Sequence, residues 1–127
     1  MPWNFATDAP IYLQVAEVIR LRILTGEYPP GGSIPSVREL AQEAAVNPNT
    51  MQKALALLES TGLLYTQRTA GRKVTESQEL IHCLRLEQAH THIDQCRRQL
   101  AALGFSPKEI REMLQSWTEP AEETEKE

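Results

Sequence analysis

The sequence predicts a mainly α protein with a small β-hairpin. Three observations lead there. Apolar residues recur at helical spacing in five separate segments. Two helix starts, "SVRE" at residues 36–39 and "NPNT" at residues 47–50, follow each other in quick succession. A β-prone run, "LLYTQ", is closed by "RTAG" and answered by "RKVT", which makes a hairpin too small to stand alone.

Ile11, Val15, Val18, Ile19 and Ile23 fall near helical spacing, and Gly26 stands where a helix end expects a left-handed residue, so a first helix is predicted over residues 10–25. "EYPPGGSIP" follows as a Pro/Gly-dense turn with a short extended exit through Ser33 and Ile34. Ser36 and Glu39 have capping-box spacing, in which each side chain satisfies the other's free backbone N–H. Val37, Leu40, Ala41 and Ala44 then form the buried face of a short second helix that stops at Val46. Asn47 is a strong N-cap and Pro48 suits the first helical position, so a third helix begins almost at once. Helices joined that closely cross steeply. Met51, Ala54, Leu55 and Leu58 face the core, and Gly62 ends the helix. The hairpin of residues 63–75 must lean on these helices.

A long helix is predicted over residues 77–103, with a loose apolar stripe through Leu80, Ile81, Leu84, Ala89, Ile93, Cys96, Leu100 and Leu103 and a stop at Gly104. "SPKE" at residues 106–109 is a second capping box with Pro107 at the first helical position; it launches a last helix through Ile110, Met113, Leu114 and Trp117. The tail "TEPAEETEKE" is acidic, nearly free of apolar residues and expected to lack packed structure. The organisation is therefore residues 1–75, a folded domain; 76–117, a helical segment; and 118–127, an acidic tail.

Composition narrows the function classes. The chain has 127 residues, 41% hydrophobic and 24% charged, which fits one small domain with an appended helical piece and not a two-domain enzyme. No apolar run approaches the roughly 18 residues a membrane helix needs, and "MPWNFATDAPIY" lacks the basic and apolar parts of a secretory signal, so a cytoplasmic protein is expected. Cys83 and Cys96 lie within one helical pattern, too far apart along it to pair, and are read as reduced thiols. The net charge of −4 argues against a general polyanion binder, yet residues 1–75 carry seven Lys/Arg against six Asp/Glu, and residues 76–127 six against eleven. A local basic spot at Arg68, Arg72 and Lys73 survives in the first part. There is no nucleophile motif with a base, no phosphate-cradling glycine loop and no paired carboxylates, so no enzyme is predicted.

Three helices, a tight inter-helix turn and a hairpin directly after the third helix make a winged helix-turn-helix. In that arrangement the second helix braces the third, whose exposed N-terminal residues enter the DNA major groove while the hairpin follows the backbone or the minor groove. A helix used so needs short polar residues at its start, and Asn47, Asn49, Thr50, Gln52 and Lys53 meet that need. Asn and Gln bond adenine bidentately; Lys reaches guanine or phosphate.

The run "PIYLQVAEVIRLRILTGEYPPGGSIPSVRELAQEAAVNPNTMQKALALLESTGLLYTQRTAGRKV" resembles the amino-terminal domain of the GntR family of bacterial transcription regulators. It matches that family's P-x-Y-x-Q, G-x-x-x-P-G, L-P-S-x-R-x-L-A (here with Ile34 for the first Leu) and L-x-x-x-G-L elements in order. The "VNPNT" turn and the two trailing helices look like the YtrA-type subfamily, whose appended helices form the dimer. The resemblance implies a homodimeric repressor on an inverted-repeat operator in double-stranded DNA. By position it implies contacts from Ser36 and Arg38 in "PSVR" and a wing built from Arg68, Thr69, Gly71 and Arg72. Many members have Ser-Arg where this chain has Asn47-Pro48, which passes base contact to Asn49, Thr50 or Gln52, and a glycine where Thr69 stands.

Leu80, Ile81, Leu84, Ile93, Leu100, Ile110, Met113 and Leu114 exceed what a short hairpin can cover, and so predict an isologous helical interface. Trp3 and Phe5 are expected to pack on the first helix or on the partner subunit. His82, Cys83, His90, His92 and Cys96 lack a compact four-ligand spacing; no metal and no cofactor are predicted. Two rival readings stay open: a winged-helix protein-interaction module, and a metal- or ligand-responsive sensor using the carboxy-terminal helices.

Overall fold

The structure, a computed structural model, describes residues 3–117. The expected acidic tail, residues 118–127, lies outside the described residues. The element order is α1 (Ile11–Leu24), α2 (Val37–Ala44), α3 (Pro48–Ser60), β1 (Leu64–Gln67), β2 (Gly71–Val74), α4 (Gln78–Ala102) and α5 (Pro107–Ser116). The chain divides into two compact units between Leu86 and Glu87.

In the first unit α1 begins at Pro10 without a side-chain cap; instead the Gln14 amide ties down the preceding loop through the backbone of Ala6 and Ala9. The Ser36/Glu39 capping box is complete in both directions, at 3.1 and 3.0 Å. Such a cap is worth about 1 kcal/mol. α2 ends on Ala45 in the left-handed conformation, φ 58°. That position is costly for any residue with a Cβ, and it is what folds α3 back across α2 so abruptly. Asn47 then caps α3, its side-chain oxygen accepting the Asn49 N–H at 2.7 Å, with Pro48 at the first helical position.

Val15, Ile19 and Ile23 of α1, Leu40, Ala41 and Ala44 of α2, and Met51, Ala54, Leu55 and Leu58 of α3 converge in one core. The hairpin joins it through Leu63, Leu64 and Val74. Leu64 pairs with Val74, Tyr65 with Lys73, Thr66 with Arg72 and Gln67 with Gly71. The loop after α1 adds a partial third strand: Ser33 bridges Lys73, the Val74 N–H reaches the Gly32 carbonyl at 2.9 Å, and the Ile34 N–H reaches the Arg72 carbonyl at 3.2 Å. A two-stranded ribbon that could not stand alone is thereby anchored on an edge and a face.

The first unit extends past the sequence-based boundary at residue 75. Ile81 is buried in its core, and Leu80 and Leu84 pack against that core. The Arg85 guanidinium donates to the Leu24 carbonyl from Nε and Nη2, at 3.1 and 2.9 Å, which satisfies a carbonyl that the end of α1 leaves free. Amphipathic patterning could not separate these turns of α4 from the rest, because the helix runs on without a break.

In the second unit the Ser106/Glu109 capping box starts α5, and Ile110 is buried. Ile93 and Leu114 are about half exposed, while Leu100 and Met113 are half-buried.

Candidate nucleic-acid interface

Helical geometry sorts the start of α3 into two faces. With Met51, Ala54, Leu55 and Leu58 turned into the core, Asn49, Gln52, Lys53 and Ala56 must point outward, and all four are exposed. Thr50 is half-buried between them. Asn47 is exposed too, but its side-chain oxygen is committed to the cap. Lys53 is held from an element that the site prediction overlooked: its Nζ lies 4.0 Å from the centre of the Tyr12 ring at the start of α1. At a solvent-exposed site such a contact is worth about 0.5–1 kcal/mol, enough to bias the lysine's direction without locking it. Tyr12 belongs to the P-x-Y-x-Q element, so the motif carried the signal.

Ser36 and Arg38 occupy the first turn of α2. The Ser36 hydroxyl accepts the Glu39 N–H, so its first job is the cap. Arg38 is exposed and makes no ion pair among the described residues. A cleft lined by Pro35, Ser36, Val37, Thr66, Gly71 and Arg72 brings the start of α2 beside the hairpin.

At the hairpin tip Arg68 and Thr69 are exposed, and Gly71 takes φ 75°, a left-handed conformation that favours glycine. The other two predicted wing cations are less free. Lys73 is half-buried. Arg72 is half-buried and ion-paired with Glu59 at the end of α3, at 3.2 Å, and the Thr66 hydroxyl donates to the same carboxylate. Glu59 was no part of the predicted site; it became visible only once α3 and the hairpin were side by side.

Behind the interface, α1 and α2 are braced by a second ionic cluster. The Arg22 guanidinium donates to Glu43 at 2.6 Å and to the Tyr28 hydroxyl at 2.7 Å and lies 4.7 Å from the Trp3 ring centre. The Trp3 indole N–H also donates to Glu43, at 2.9 Å. Arg22 is buried; burial works against its charge, but the hydrogen bonds it donates to Glu43 and Tyr28 outweigh this and raise its pKa. The same Arg22 hydrogen bond, with that of Trp3, lowers the pKa of Glu43.

Of the predicted interface residues Ile81 is buried in the first unit's core and Ile110 within the second unit, so neither side chain is open as sequence spacing suggested. Leu80 and Leu84 are likewise engaged with the first core. Cys83 and Cys96 are free thiols. Among the described residues there is no group of three or more His, Cys, Asp or Glu able to hold a metal ion, and no helix is long and apolar enough to cross a membrane.

Residues 11–74 match the family described as bacterial regulatory proteins, gntR family. YhcF, an HTH-type transcriptional regulator of Bacillus subtilis (strain 168), is 34% identical over 116 residues, which cover 91% of this chain and 96% of that protein. The HTH-type transcriptional repressor YtrA of the same organism is 39% identical over 71 residues, 56% of this chain and 55% of YtrA. The solved structure of a GntR family transcriptional regulator from Listeria monocytogenes has a TM-score of 0.77 and 34% identity, covering 90% of this chain and 100% of that one. The AraR DNA-binding domain in complex with operator ORX1 has a TM-score of 0.53 and 35% identity, covering 57% of this chain and 93% of that one. The winged helix-turn-helix geometry and the extent of these matches agree: the chain belongs to the GntR family of bacterial regulatory proteins, as a DNA-binding transcriptional regulator and not an enzyme.

Proposed function

We propose that this protein is a cytoplasmic repressor that binds an inverted-repeat operator as a homodimer. The observation that carries the reading is the bare polar face at the start of α3, with Asn49, Gln52 and Lys53 exposed and the hairpin tip beside the start of α2. In this account Asn49, Thr50 and Gln52 read base edges, and Lys53 contacts guanine or phosphate. Arg38 and Arg68 bind phosphates, with Thr69 and Gly71 letting the wing tip approach the backbone or the minor groove. Ser36 and Asn47 contribute by capping α2 and α3, which fixes the helix starts that carry Arg38, Asn49 and Gln52. Lys73 adds positive potential from the flank of the wing, where Arg72 is held in its ion pair with Glu59.

Dimerisation is assigned to the second unit. Its support is the large apolar surface left in solvent there: Ile93, Leu103 and Leu114 are 50%, 74% and 46% exposed. Monomeric proteins seldom leave such groups together in water. With Leu100 and Met113 these side chains form the isologous contact, and two-fold symmetry then implies an inverted-repeat operator. The repressor sign follows that of YtrA, a transcriptional repressor. No cofactor enters this reading, and it does not need a small-molecule effector.

The test is selection of duplexes from a random-sequence library by the full chain, followed by sedimentation of the complex. The reading expects enriched inverted repeats bound by two protomers, with affinity falling steeply as salt rises. Enrichment of no sequence, or a single protomer on each duplex, overturns it.

A further inference from the structure

Glu59 stands in the last turn of α3, seven residues after Gln52 and so on the same helical stripe as the proposed base-reading side chains. One carboxylate oxygen accepts from the Thr66 hydroxyl on β1; the other accepts from Arg72 Nε on β2 at 3.3 Å, with Arg72 Nη2 at 3.2 Å. Thr66 and Arg72 are directly opposed in the hairpin register, with one more pair, Gln67 and Gly71, before the turn. A single side chain of the recognition helix therefore clamps both strands just below the wing tip.

Charge alone makes this arrangement unfavourable for binding DNA, because a carboxylate sits at the interface and neutralises a wing arginine. What it supplies is geometry. The base of the hairpin is fixed by the burial of Leu64 and Val74, whereas the second pair on toward the tip, Thr66 and Arg72, is tied to α3 through Glu59. A direct helix-to-wing clamp ties base contact and backbone contact to one rigid frame.

We propose that Glu59 is a positioning residue for DNA recognition: it holds the wing at a fixed angle to α3 and keeps Arg72 off the phosphates, so that discrimination between sequences depends on it more than bare affinity does. This rests on the reading of α3 and the wing as the DNA-contacting surface.

Glu59→Gln keeps the side chain's size and releases Arg72. Duplexes selected by the parent chain serve as the specific probe, and a scrambled duplex of the same composition as the reference. The selected-to-scrambled affinity ratio should fall about tenfold in the variant. Affinity for the scrambled duplex should rise, and the salt dependence should steepen by up to about two in log–log slope, one freed arginine per protomer. Hydrogen exchange of the free protein should quicken at β1 and β2 amides and stay unchanged in α1 to α3. Thr66→Val, which removes the hydroxyl donor without altering charge, should lower the ratio with no change in slope. An unchanged ratio in both variants overturns the inference, as does an equal loss of affinity for both duplexes, which would mark simple destabilisation. If the parent itself prefers no sequence, the DNA-contact reading fails and this inference with it; if the parent discriminates and Glu59→Gln discriminates equally, only the clamp is lost.

Discussion

Arg38→Gln isolates one proposed phosphate contact with little disturbance of the fold. Arg38 is exposed in the first turn of α2 and makes no ion pair among the described residues. Its replacement should therefore change unfolding free energy by no more than about 0.5 kcal/mol. On DNA the effect should be large. Each phosphate contact contributes about 0.9 to the slope of log affinity against log salt, and a homodimer carries two copies of Arg38, so the slope should become shallower by about 1.8. Between about 50 and about 200 mM salt, a fourfold change, the parent should lose roughly twelvefold more affinity than the variant. Anisotropy of a fluorescently labelled duplex across a salt series measures this, and thermal unfolding of both proteins controls for folding. An unchanged slope would refute the assignment of Arg38 to a phosphate. A change of only about 0.9 would mean that one protomer engages DNA and would refute the dimeric arrangement.

Gln52→Ala should weaken preference at one base pair by about 1–3 kcal/mol while leaving the salt slope unchanged, read from affinities for a panel of single-base operator variants. Leu55→Ala should cost about 2–5 kcal/mol in denaturant unfolding, because Leu55 is fully buried where α1, α2 and α3 meet. Stability should also fall in acid. The folded-state pKa of Glu43 is lowered by Arg22 and then Trp3, so the stability it contributes is complete above its unfolded pKa and disappears as pH falls through the lower folded value. Glu43 is about half exposed, which limits the effect to about 1 kcal/mol; urea unfolding from neutral pH into acid should show it, and Glu43→Gln should flatten that dependence.

How much of this was legible in the sequence depends on the range of each interaction. The helix starts at Ser36/Glu39, Asn47/Pro48 and Ser106/Glu109 are encoded within four residues, and all form as their chemistry requires. The buried face of α3 follows from period alone, and with it the outward direction of Asn49, Gln52 and Lys53. Ala45 is different: nothing about alanine announces a left-handed residue, and the conformation shows only in the folded turn between α2 and α3. The commitment of Arg72 to Glu59 spans 13 residues, and the bond from Trp3 to Glu43 spans 40, so neither leaves a local pattern. α4 hides its change of role for the opposite reason. Its apolar stripe is continuous, and only packing against the first unit's core shows that Ile81 and Leu84 belong there while Ile93 and Leu100 do not.

The most direct measurement is a hydroxyl-radical footprint of the full chain on a selected duplex at nucleotide resolution. Two equivalent patches of protection related by a two-fold axis, their centres one helical turn (about 34 Å) or a whole multiple of it apart, are the predicted result. A single patch, or protection that persists when Asn49, Gln52 and Arg68 are all replaced by alanine, would contradict recognition by the start of α3 and the wing of a paired molecule.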